Sequence, residues 1–112
     1  MALIAEERGC TEQLARFFPK LPAVRISVNV SPVRKGGNSK SLQEATTIEY
    51  GSQEFAVFDS TLPLEFDDRV RISRDGGKFS IEAVVIALQY HDGRKAVAVR
   101  FLDGVCEWMR QP

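Results

Sequence analysis

The stretch Arg16-Phe17-Phe18-Pro19-Lys20 sets a cation on either side of three residues, directly ahead of AVRISVNVS, in which apolar and polar residues alternate without a slip. Two cations so placed can grip an anion, because a guanidinium makes paired hydrogen bonds to a phosphate and an ammonium adds a point charge. They can equally be the solvated collar of a chain entering a sheet, with Phe17, Phe18 or both packed on the core. A phosphate clamp would need a second loop that brings backbone and short polar groups to the same ligand.

Other chemistry is thinly represented. The single histidine, His91, stands in His91-Asp92-Gly93-Arg94, the composition of a hairpin tip. A general base must be held within hydrogen-bond reach of its target, and a wet turn does not hold one. Asp67 and Asp68 adjoin in a loop, and neighbours in an extended chain point apart, so they read as solvated and not as an acid–base pair. Lys35 to Ser41 contains glycines and lysines without the GxxxxGK spacing of a phosphate-cradling loop. Cys10 and Cys106 lie near opposite ends, with neither CxxC spacing nor a histidine beside them, and read as small hydrophobes. No catalytic residue, metal site or cofactor is expected, and the chain reads as a non-enzyme.

The 112 residues fit one domain, and a chain of this size buries on the order of two-thirds of its unfolded surface. Fifteen basic residues balance fifteen acidic ones, so the overall field lacks the positive footprint of a dedicated nucleic-acid binder and any anion site must be local. No apolar run approaches the roughly 18 residues of a membrane span. The start, MALIAEERGCTEQ, is too acidic for a secretory leader, which leaves a cytoplasmic location as the expectation.

The elements that would position the candidate residues are mostly strands. A short helix is expected over Glu12 to Phe18, with Thr11 as its N-cap and Pro19 as its stop. Val24, Ile26, Val28 and Val30 alternate with polar residues in the clearest strand. Further strands are expected over Glu44 to Tyr50, interrupted at Gly51, over Phe55 to Phe58, and over Arg69 to Arg74, which Asp75-Gly76-Gly77 closes. Two more follow, over Phe79 to Gln89 and Ala96 to Leu102, the last after the Asp92-Gly93 turn. The apolar phase shifts inside Phe79 to Gln89, which calls for a bulge or a stretch buried on both faces near Ala83. A helical turn over Val105 to Arg110 would lay Trp108 and Met109 near the end of the sheet. Six short strands with regular turns imply an all-β, antiparallel six-stranded barrel or a sandwich.

In this setting the chain resembles the PilZ family, small six-stranded barrels of bacteria that bind the second messenger cyclic di-GMP. The resemblance covers about Arg16 to the end. The family's RxxxR motif lies just before its first strand and matches Arg16 to Lys20 here. Its second motif, Asp or Asn-x-Ser-x-x-Gly, matches Glu49-Tyr50-Gly51-Ser52-Gln53-Glu54, preceded by Thr46-Thr47-Ile48; LPLEFDDRVRI and AVAVRFLD are similar to later parts of the family. The resemblance implies a PilZ-like barrel over 16–112, with short helical segments at its ends, after an N-terminal segment 1–15 that need not be ordered. It also implies that a cyclic di-GMP site, vestigial or weak, would lie at Arg16, Lys20, Glu49, Gly51 and Glu54.

Four of five diagnostic positions depart from the family pattern: Lys20 for Arg, Glu49 for Asp or Asn, Gly51 for Ser and Glu54 for Gly. Lys for Arg forfeits roughly 1 to 2 kcal/mol of phosphate binding. A Glu54 carboxylate about 4 Å from a phosphate repels it by about 4 kcal/mol at an effective dielectric near 20. Losses of about 5 kcal/mol weaken micromolar binding several-thousandfold. The function implied is a bacterial signalling module that acts as a protein-interaction adaptor with weak or no cyclic di-GMP binding, with Phe17 and Phe18 anchoring the N-terminal segment. The alternative is a cyclic di-GMP receptor with a divergent site, in which Arg16, Lys20, Arg25 and Arg34 supply charge. A small nucleic-acid-binding barrel stacking bases on Tyr50, Phe58, Tyr90 or Trp108 is disfavoured by the balanced charge.

Overall fold

A computed structural model describes residues 11–18, 21–33, 43–74 and 76–102. The alternating segments form six strands: β1 (Ala23–Pro32), β2 (Glu44–Gly51), β3 (Phe55–Ser60), β4 (Arg69–Arg74), β5 (Phe79–His91) and β6 (Arg94–Phe101). All pairings are antiparallel and close a barrel in the order β1-β2-β3-β6-β5-β4, with β4 returning to β1. Closure gives each strand a neighbour on both sides and leaves no free outer strand to be covered by helices.

The period-2 pattern of β1 turns Ile26, Val28 and Val30 into the barrel. Ile48, Phe58, Ile72, Val85, Val97 and Val99 meet them from the other strands in one contiguous core. The connection between β3 and β4 contributes as well. Leu64 N–H donates to the Leu62 carbonyl at 2.8 Å around Pro63, and the tight turn drives both leucines into the core.

Two expectations about β5 and β3 shift by a few residues. Ala83, Val84 and Val85 are all buried, as the double-faced apolar run requires, but the irregularity against β6 falls between Val85 and Ala87. Before it Ala83 and Val85 point inward; after it Leu88 packs on the core, and both Ile86 and Ala87 face outward. Strand β3 continues through Asp59 and Ser60, since both pair with β6, and Gly51 ends β2 in register with Ala56 and does not interrupt it.

The Asp92-Gly93 tip behaves as its composition predicts, with both residues at positive φ, 49° and 79°. The short helix exists, but residue 11 is already helical, so Thr11 is not the N-cap; the described part of the helix spans 11–15 and tightens through Phe17 N–H to Leu14 and Phe18 N–H to Ala15. Pro19, Cys10, Cys106, the 35–41 loop, Asp75 and the expected turn at Val105 to Arg110 with Trp108 and Met109 lie outside the described residues. No helix among the described residues is long and apolar enough to cross a membrane.

Candidate functional site

The two stretches singled out in the sequence lie side by side. The helix 11–15 rests on the outside of the barrel, where Leu14 and Ala15 are buried against Val57, Ala96 and Ala98, with Tyr50, Ile86 and Ala87 at the margin. Small side chains on β6 make this possible, because alanines at 96 and 98 let a helix approach the sheet closely. Phe18 extends the contact by packing on Phe55, ring centroids 5.3 Å apart and tilted by 36°. Phe17 does not anchor the segment: it is 78% exposed. A tight turn can aim only one of two adjacent aromatics at the sheet, and Leu14 already occupies the place beside Phe18.

Arg16 projects into solvent, 74% of its side chain exposed, and pairs at 3.4 Å with Glu12 one helical turn back. Lys20 and Arg34 lie outside the described residues. Glu49 sits at an irregularity of β2: Ile48 pairs with Phe58 and Tyr50 with Val57, which leaves Glu49 without a partner residue on β3. Bulges of this kind re-aim a side chain. Here the Glu49 carboxylate accepts a 2.6 Å hydrogen bond from the Thr11 hydroxyl, whose residue is buried.

Gly51 is buried, and its N–H donates to the Pro22 carbonyl at 3.0 Å. Ser52 organises the turn that follows. Its hydroxyl accepts from the N–H groups of Glu54 and Phe55, and its own N–H donates to the Phe55 carbonyl at 2.8 Å. Glu54 is exposed, and its carbonyl accepts from Phe101 N–H at 3.0 Å. Among the described residues, the Gly51 N–H, the Ser52 hydroxyl and N–H and the Glu49 carboxylate are thus engaged within the protein.

Negative charge gathers beside this face. Asp59, on β3, is pushed above its ordinary 3.8 by burial and by the Glu49 charge, against the opposing pull of Arg94 at 3.8 Å. Glu44 is raised by burial, but hydrogen bonds from the Ser60 and Thr61 hydroxyls and the Thr61 amide, with the Arg94 charge, prevail and hold it below its ordinary 4.5.

The other residues weighed for chemistry remain apart. His91 Nε2 stands 3.5 Å from Asp92 Oδ2 at the exposed hairpin tip. Asp68 Oδ2 accepts from Glu65 N–H, whereas Asp67 is exposed. Among the described residues no group of three or more His, Cys, Asp or Glu is placed to hold a metal ion. Sequence reasoning missed Thr11 and Phe55 as partners of the site, because both contacts join segments far apart in the chain. Comparison of the chain with protein-family models, with curated proteins and with solved structures found no match.

Proposed function

We propose that the chain is a PilZ-like bacterial signalling module, cytoplasmic and non-enzymatic, that works as a protein-interaction adaptor with weak or no cyclic di-GMP binding. Glu49 is the observation that carries this proposal. At the position where the family motif has Asp or Asn, the longer Glu49 side chain accepts a hydrogen bond from Thr11 of the N-terminal helix, so its carboxylate is engaged in fastening that segment. The Glu12 partner of Arg16 and the exposed Glu54 add to the same effect, since carboxylates near a phosphate repel it.

Calorimetric titration of cyclic di-GMP tests this. The natural protein is expected to give no heat at micromolar ligand, and a variant with Lys20→Arg, Glu49→Asp, Gly51→Ser and Glu54→Gly to bind in the micromolar range. Micromolar binding by the natural protein would overturn the adaptor proposal in favour of a receptor with a divergent site. Silence from both proteins would remove the alignment with the family motifs.

A further inference from the structure

On the outside of the barrel, next to the face that the helix 11–15 covers, strands β4, β5 and β6 form a groove of about 380 Å³ whose lining includes Phe66, Arg69, Val84, Ile86, Arg100 and Leu102. Register places Arg69 and Arg100 on either side of Val84. Strands lie about 4.8 Å apart, so the two arginines stand about 9.6 Å apart across the intervening strand. Both are exposed, and among the described residues neither forms an ion pair. The adjacent row differs, because there Arg71 is neutralised by Glu82 at 2.8 Å.

Phe66 forms the rim and is 68% exposed. It is held by a tight turn in which Asp68 N–H donates to the Glu65 carbonyl, Glu65 N–H donates to Asp68 Oδ2, and Asp67 takes a φ of 76°. The turn is fastened to β5 by Asp67 N–H to the Val85 carbonyl and Val85 N–H to the Asp68 carbonyl, both 2.8 Å. An aromatic presented on so constrained a backbone loses little freedom on binding, which is what an interface anchor requires.

We infer that this groove docks an amphipathic helix of a protein partner, with acidic residues seven positions apart that meet Arg69 and Arg100 and an apolar residue between them that sits over Val84. This rests on the adaptor proposal and names its partner chemistry. Residues i and i+7 of a helix share a face and lie about 10.5 Å apart, close to the spacing of the two arginines. The apolar residue at i+3 or i+4 then falls on the floor formed by Val84 and Ile86, with Phe66 against its flank. The protein already packs the apolar side of a helix on the adjacent face, where Leu14 and Ala15 lie on Val57, Ala96 and Ala98. Among the described residues Asp67 is the one acid lining the groove; it disfavours a third acidic residue near Phe66.

The test is selection of a randomised helical peptide library on the full-length protein, with counter-selection on an Arg69→Glu, Arg100→Glu variant shown to be folded by its thermal melt. Enriched peptides are expected to carry Glu or Asp seven apart around an apolar residue. Their affinity should fall about tenfold or more on the double reversal and recover when the peptide acids are exchanged for lysine. Two further variants check the geometry: Phe66→Ala should weaken the same peptides, and Arg71→Ala should not. Peptides that bind both proteins alike would overturn the assignment of this groove and leave the adaptor proposal standing. So would the absence of any enriched acidic pair, or arginine-dependent binding of a single-stranded oligonucleotide in place of peptides. Cyclic di-GMP binding, read separately, bears on the adaptor proposal alone.

Discussion

Thr11 and Glu49 form a charge-assisted bond at 2.6 Å between a buried hydroxyl and a half-buried carboxylate. Bonds to a charged partner contribute about 1.5 to 3 kcal/mol, so Thr11→Val should lower the unfolding free energy by that order, read as a lower urea midpoint at an unchanged denaturant slope. An unaltered midpoint would mean that Glu49 is solvated and free for other partners. Glu44 and Asp59 predict opposite pH dependences. The folded pKa of Glu44 is depressed, so its stabilisation is present above the ordinary 4.5 and is lost as pH falls through the lower folded value. Glu44→Gln should therefore cost about 1 kcal/mol at pH 7, and the gap to the parent should shrink below pH 4.5. The folded pKa of Asp59 is raised, so its ionised form weakens the fold at neutral pH, and Asp59→Asn should stabilise at pH 7 but not below 3.8. Paired unfolding curves at pH 7 and pH 3 check both signs.

The hairpin β5–β6 turns on Asp92 and Gly93, both at positive φ, and a Cβ added at Gly93 would meet nothing within 4 Å. The cost of Gly93→Ala is accordingly backbone strain without collision, about 1 to 2 kcal/mol, readable as a shift in the urea midpoint; a larger loss would point to a contact at the tip. This element was legible in the sequence, because Asp-Gly between apolar runs has one dominant solution. So were β1 and β4, whose alternation matches the pleat. For β5 the sequence called for a bulge or a stretch buried on both faces near Ala83; the doubly buried stretch is there, in Ala83, Val84 and Val85, and only pairing with β6 reveals that the phase slips beyond it, between Val85 and Ala87. Thr11 was misassigned for a related reason: Ser and Thr favour caps locally, but the hydroxyl of Thr11 donates to a carboxylate on a distant strand.

Across the whole molecule, closure makes the core a single cooperative unit. Phe58 is fully buried in it, and Phe58→Ala should cost about 3 to 5 kcal/mol, a large share of the stability of a domain of this size. Denaturation by heat and by urea should report the same loss. Formal net charge is zero at neutral pH, so the protein should be least soluble near its isoelectric point of about 6.6, a minimum that precipitation across pH would locate. The amino-acid sequence by itself determined the strands, the hairpin tip, the interior residues of β1 and the six-stranded all-β class, because each depends on periodicity and local turn chemistry. Only the tertiary structure decided that Phe18 and not Phe17 lies on the barrel, that Glu49 is directed to Thr11, and that Arg69 and Arg100 flank Val84. Those relations are set by register and closure between segments distant in the chain, where no local pattern records which side chains will meet.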